Sequence, residues 1–199
     1  MANGLRKDLT TGLIAIVAMT VVLGLAYPLA ITGISQLVFP GAANGSKVTL
    51  DGKVVGSRLI GQEFKGPAWF HSRPSATEYS GNVTFFGNAG PNSLELREEL
   101  REDLAAYVKQ NKPYDHSLTR ADVPVDAVTQ SASGVDPDIS EANAAIQAHR
   151  IAAVRRLPLA KVEELIAANT DNRSLGVLGE PGVNVLELNI SLEEEAPLK

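Results

Sequence analysis

The chain has 199 residues, a formal net charge of −5 and no cysteine. The missing cysteine excludes disulfides, thiol nucleophiles and thiolate metal sites, and the mild acidity argues against nucleic acid, which rewards clustered Lys and Arg. Charge is also unevenly spread: not one charged residue falls between Asp8 and Lys47.

Residues 1–12 read as a short N-terminal tail and residues 13–39 as a transmembrane helix. Leu13 to Phe39 is almost wholly apolar. A span needs roughly 20 such residues, because a helix rises about 1.5 Å per residue and the hydrocarbon layer is about 30 Å thick. The run is longer than that, so tilting or extension beyond the bilayer is expected. A cleavable signal peptide is the competing reading, with Arg6 and Lys7 as its basic start and Gly24-Leu25-Ala26 as a cleavage site. The apolar run continues past that site to Phe39, and Pro28 sits just beyond the cut, which favours an uncleaved anchor. Thr20 with Gly24, and Thr32 with Gln36, are small or polar residues four apart, a spacing that suits packing against another helix in lipid. Arg6 and Lys7 place the N-terminus inside and the soluble domain outside. Lys47, Lys53 and Arg58 on the far flank belong to a large domain that can translocate regardless of charge.

Residues 40–46 form a linker of turn-forming residues, and residues 47–199 a single soluble domain. Lys47 to Gly61 reads as a β-hairpin around Asp51-Gly52, a pair that supplies the positive φ angles of a tight turn. Gly66 to Asn92 is a long structured loop carrying Trp69, Phe70, Tyr79, Phe85 and Phe86. Ser93 caps a helix reaching Gln110, and Ser140 caps a second reaching about Leu157, with Ala144, Ala148, Ile151 and Ala152 on its apolar side. Pro158 opens a third, shorter helix ending near Ala168. Val183 to Leu192 reads as a strand with Leu186, Leu188 and Ile190 on one face. The fold class is a single N-terminal transmembrane helix followed by one soluble α+β (mixed α/β) domain.

Signatures of chemistry are few. His71, His116 and His149 are far apart and lack ligand spacing, so no metal site is expected. No GxSxG elbow exists; Ser131-Ala132-Ser133-Gly134 resembles one loosely and reads as a capped turn. Gly176, Gly179 and Gly182 lack the lysine of a phosphate loop and mark a turn. What stands out is a set of polar clusters in apolar context: Gly56 to Gln62 with Phe70 to Ala76, Ser131 to Ser140, and Gln147 to Ala152. Their candidate residues for partner contact or internal structure are Arg73, Ser75, Ser131, Ser133, Asp136, Gln147 and Arg150. Gln147 and Arg150 share a helical face opposite the alanine-rich one. They suit either a partner's carbonyls and carboxylates or the Ser131 to Asp138 turn, with Arg150 to Asp136 as the expected internal pair.

Taken in order, these clusters resemble the C subunit family of the Kdp-type potassium-transporting ATPases. The resemblance runs from Tyr27-Pro28 through Gly45-Ser46, Gly56 to Gln62, Phe70, Arg73 to Ala76, Ser131 to Ser140 and Gln147 with Arg150-Ile151-Ala152, to Val183 to Asn189. It departs after Tyr79, where the family usually carries more Gly, Ser and Asn, and at Ile151, where valine is common. The resemblance implies a non-catalytic accessory subunit with no firmly bound cofactor; ATP, through the ATPase subunit, and potassium belong to the complex. It implies three partners besides the lipid bilayer: a channel-like potassium-binding subunit, a P-type ATPase subunit and a small single-helix subunit. It further implies a single pass through the cytoplasmic (inner) membrane, a need for the chain in assembly, and a catalytic-chaperone role that raises ATP affinity. A domain outside cannot touch cytoplasmic ATP, so any such effect is expected to be allosteric. Two readings of other classes stay open: a membrane-anchored binding or scaffold module, and a membrane-tethered hydrolase using Ser131 or Ser133.

Overall fold

Residues 2–82 and 88–198 are described by a computed structural model of the chain. It divides into an N-terminal unit ending at Ser46 and a second unit starting at Lys47. The first unit is helical from its start: α1 (Ala2–Met19), a π-helical stretch (Thr20–Ala26) and α2 (Tyr27–Val38) run on without a break. From Gly4 to Val38 this helix is long and apolar enough to cross a membrane, and none of that apolar surface is buried. Helix therefore includes most of the expected N-terminal tail, since nothing between Gly4 and Gly12 stops propagation once a helix has nucleated.

The π stretch has a local cause. Pro28 has no amide to give to the carbonyl four residues back, and the Tyr27 amide donates to the carbonyl of Val22, five residues back. Residues 40–46 are not the featureless linker the composition implies. Pro40–Ala43 forms one helical turn, α3, because Phe39 breaks the preceding helix and proline presets the φ of a first helical position. Asn44 then reaches back so that its amide donates to the Gln36 side-chain oxygen at 3.0 Å. Gln36, expected to serve a neighbouring helix, thus has a partner in its own chain.

The second unit opens with β1 (Lys47–Leu50) and β2 (Lys53–Ser57), paired antiparallel with a bulge between Val48 and Thr49. Asp51 and Gly52 turn the hairpin with φ of 49° and 74°. From Arg58 to Asn92 the described residues form neither helix nor strand; Phe85 and Phe86 lie outside the described residues. Then come α4 (Leu94–Asn111), β3 (Asp138–Ile139), α5 (Glu141–Arg155), α6 (Leu159–Ala168), β4 (Thr170–Asp171), β5 (Gly182–Asn184) and α7 (Val185–Glu195). Ser93 and Ser140 cap α4 and α5 as expected, each accepting from the amide three residues on. The three short strands make one antiparallel sheet in the order β3-β5-β4.

One expected element is wrong. Val183 to Leu192 is a strand only as far as Asn184, and then becomes α7. Asn184 is the switch, because its side chain accepts from the Glu187 amide and so caps a helix where the strand ends. Val185, Leu188 and Leu192 recur at helical spacing, and all three are essentially fully buried against Ile151, Val162 and Phe70 in the core. Replacing Leu188 by alanine is expected to cost about 2–5 kcal/mol, the range for emptying a filled core site. Denaturant unfolding of the chain in detergent checks it.

Candidate functional site

The site is built on a stretch of backbone that has no strand to pair with. Gly66 to Trp69 make a turn, exposed at Pro67, that leads Phe70 into the core, and side chains from α5 and α7 supply hydrogen bonds to the backbone from Pro67 to His71. Asn189 takes Phe70 at both ends, accepting from its amide and donating to its carbonyl, each at 2.9 Å. Gln147 does the same for His71, at 2.8 and 3.1 Å. Arg150 Nη1 donates to the carbonyls of Pro67 and Trp69 at 2.5 and 2.9 Å, and Arg155 Nε to that of Ala68 at 2.9 Å. Arg155 also lies 4.4 Å over the Trp69 ring and pairs with Glu193 at 2.7 Å, joining α5 to α7.

Arg150 is wholly buried and meets no carboxylate. Its remaining donors go to Asn111 Oδ1 at 3.0 Å and Gln147 Oε1 at 2.9 Å. Loss of hydration lowers its pKa to about 10, which leaves it charged near neutral pH. The expected pair with Asp136 does not form. Arg150 points from the flank of α5 toward the Pro67–His71 backbone, and Arg73 takes Asp136 instead, at 2.9 Å. The flank holding Gln147 and Arg150 is as buried as the alanine face; with Asn143 it makes a polar stripe at i, i+4 and i+7. Asn143 accepts from Tyr107 and Gln147, at 2.7 and 2.9 Å, and donates to Asp126, which also holds Ser140.

Beside this network lies a cleft of about 450 Å³ lined by Glu63, His71, Tyr79, Asp103, Tyr107 and Gln110 among others. Burial raises the Asp103 carboxyl, and its neighbours Glu99 and Glu102 add to the shift. Burial, then Glu63, pushes the Tyr79 phenol up to about 12. His71 Nε2 faces the Gly66 carbonyl at 2.8 Å, so it carries the proton, and Nδ1 faces the Gln110 amide at 3.2 Å. Burial, then the Arg150 charge, lowers the His71 pKa.

The first two polar clusters also meet. Ser75 Oγ donates to the Gly134 carbonyl at 2.6 Å and accepts from the Tyr79 amide at 2.9 Å. The Ser131 amide donates to the Pro74 carbonyl at 3.1 Å, and Ser133 Oγ accepts from Val135. Gly134, at φ 70°, has no room for a side chain: a Cβ would stand 2.4 Å from Thr77 Oγ1. Ser131 and Ser133 therefore sit in the capped turn read from the sequence. Both ring nitrogens of His71 are taken up by Gly66 and Gln110, so it offers neither serine a base. Among the described residues no cluster of acidic and histidine side chains could hold a metal ion. Sequence reasoning missed Asn143, Asn189 and Arg155. Asn143 had a usable signal, one turn before Gln147, whereas Asn189 was hidden by the strand reading of its segment.

Two outcomes follow. Arg150→Ala removes the donors to the Pro67 and Trp69 carbonyls and to Asn111 Oδ1, so a loss of about 3–5 kcal/mol is expected in denaturant unfolding, comparable to breaking a buried charge interaction. His71 binds its proton less readily folded than unfolded. Its contribution is complete above its ordinary value of 6.5 and shrinks as pH falls below that, because the unfolded chain then binds the extra proton. Unfolding at pH 7 and pH 5 should show this loss, and His71→Gln should flatten it.

The model of one protein family, described as "KdpC: K+-transporting ATPase, c chain", matches residues 9–194. The chain is 44% identical to the potassium-transporting ATPase KdpC subunit of Streptomyces avermitilis, over 94% of this chain and 93% of that one. It is 43% identical to the subunit of the same name from Bradyrhizobium diazoefficiens, over 96% and 98% of the two chains. For that of Koribacter versatilis the identity is 41%, over 98% of each.

Proposed function

The chain belongs to the KdpC family of potassium-transporting ATPase c chains, and from that premise we propose that it is the non-catalytic accessory subunit of an ATP-driven potassium uptake pump. It is anchored once in the cytoplasmic membrane and required for the complex to assemble. Its partners are the channel-like potassium-binding subunit, the P-type ATPase subunit and the small single-helix subunit. The observation that carries this reading is the wholly unburied apolar helix at the head of a chain that matches the family nearly end to end. Such a surface needs lipid or other helices to cover it.

The domain lies outside, opposite Arg6 and Lys7. It therefore raises the ATP affinity of the ATPase subunit without meeting the nucleotide, by binding one state of the pump better than another. The binding-module reading differs in needing no pump subunits, and the hydrolase reading is disfavoured by the use of both His71 nitrogens elsewhere.

The chain should copurify with polytopic partners and resist alkaline extraction; recovery as a soluble monomer would remove this reading. Gly24→Leu should loosen its hold on those partners in detergent, and unchanged subunit stoichiometry would leave Thr20 and Gly24 as lipid-facing positions. Sidedness is testable because no native cysteine interferes. Ser117 is exposed, and Ser117→Cys should react with an impermeant maleimide on intact spheroplasts. Labelling only after lysis would put the domain in the cytoplasm and restore direct ATP contact.

A further inference from the structure

The membrane helix contains a backbone carbonyl, that of Leu23, for which neither the α-helical nor the π-helical donor is available. In an α-helix the Leu23 carbonyl would accept from the Tyr27 amide, four residues on. That amide is spent on Val22, its single acceptor. In the π register the donor would be residue 28, which is proline and has no amide. No side chain among the described residues donates to Leu23 either. Leu23 lies deep within the uncharged run between Asp8 and Lys47. Hydrocarbon offers no donor there, and each unmet backbone group costs several kcal/mol.

We propose that the Leu23 carbonyl is a docking point for a neighbouring transmembrane helix, whose hydroxyl, carboxamide or indole N–H donates to it within the bilayer. This rests on the membrane reading above. The flank beside it is open to close approach. Gly24 has no side chain, and a Cβ added there would meet only Thr20 Cγ2, at an ordinary 3.7 Å. Pro28 is then a functional residue that fixes where along the helix the acceptor appears. Lipid tails have no donor to supply at this depth, so the partner assigned is another membrane-spanning subunit.

Pro28→Ala provides the test in the complete complex. The new amide closes the helix in either register: onto Leu23 directly, or onto Gly24 while Tyr27 turns to Leu23. The helix itself becomes better bonded, yet the complex should hold this chain roughly five- to thirty-fold less tightly in detergent, the loss of one interhelical hydrogen bond. Retention that is unchanged or tighter would overturn the assignment. A second variant, Pro28→Ala with Leu29→Pro, keeps a proline bend but moves the missing amide one residue along. It should not restore retention, and full recovery would show that the bend alone matters. Alkaline extraction separates the premises. A Pro28→Ala chain that stays in the membrane but leaves the complex supports the docking point, whereas a native chain released by alkali defeats the membrane reading and this proposal with it.

Discussion

The second unit is organised around a turn of backbone, Pro67 to His71, that carries Phe70 into the core without a β partner. A buried peptide group that loses water must find another partner, and the residues from Pro67 to His71 find theirs in side chains. Asn189 and Gln147 each present a carboxamide, which has the same donor and acceptor as a peptide group. They dock on Phe70 and His71 as a neighbouring strand would. Two arginines take the remaining carbonyls. The result is a loop fixed by side chains of α5 and α7 where no neighbouring strand is present.

That requirement dictates how α5 is composed. One face carries Ala144, Ala148, Ile151 and Ala152, small enough for close packing against neighbouring elements. The adjoining flank carries Asn143, Gln147 and Arg150, which are equally buried. A carboxylate opposite Arg150 would have neutralised it, but would also have claimed the donors that the loop carbonyls need. Four neutral acceptors instead share the charge, at the cost of a depressed pKa. The network extends through Asn143 to Tyr107 and Asp126, while one buried donor within it, Arg155 Nη2, has no partner among the described residues.

Much of the fold was legible where local chemistry decides it. The apolar run, the Asp51-Gly52 turn and the caps at Ser93 and Ser140 involve only near neighbours in sequence, and each appears in the structure. The failures come from long-range partners. Val183 to Leu192 offers apolar residues that fit both a period of two and one near four, and Asn184 decides between them through a capping bond. Gln147 and Arg150 were read as residues for partner contact or internal structure, and Asp136, the expected internal partner, pairs with Arg73 instead. What Arg150 binds is backbone more than eighty residues away in sequence, and a carbonyl has no signature in sequence. The bond of Gln36 to Asn44 was hidden for the opposite reason: it lies close by, across a helical turn that composition alone presented as a linker.

The same bookkeeping of backbone groups separates the two units in kind. In the second unit every residue from Pro67 to His71 has a partner within the chain, so its loop is fixed before any other subunit arrives. A surface fixed in advance loses little entropy on docking, and more of its contact energy is left to favour one state of a partner over another. In the first unit the account stays open at Leu23, and its apolar surface is bare from end to end. A domain closed on itself and a helix that needs company are complementary requirements. The helix presents a surface that lipid or other helices must cover, while the loop from Pro67 to His71 is held within the domain itself.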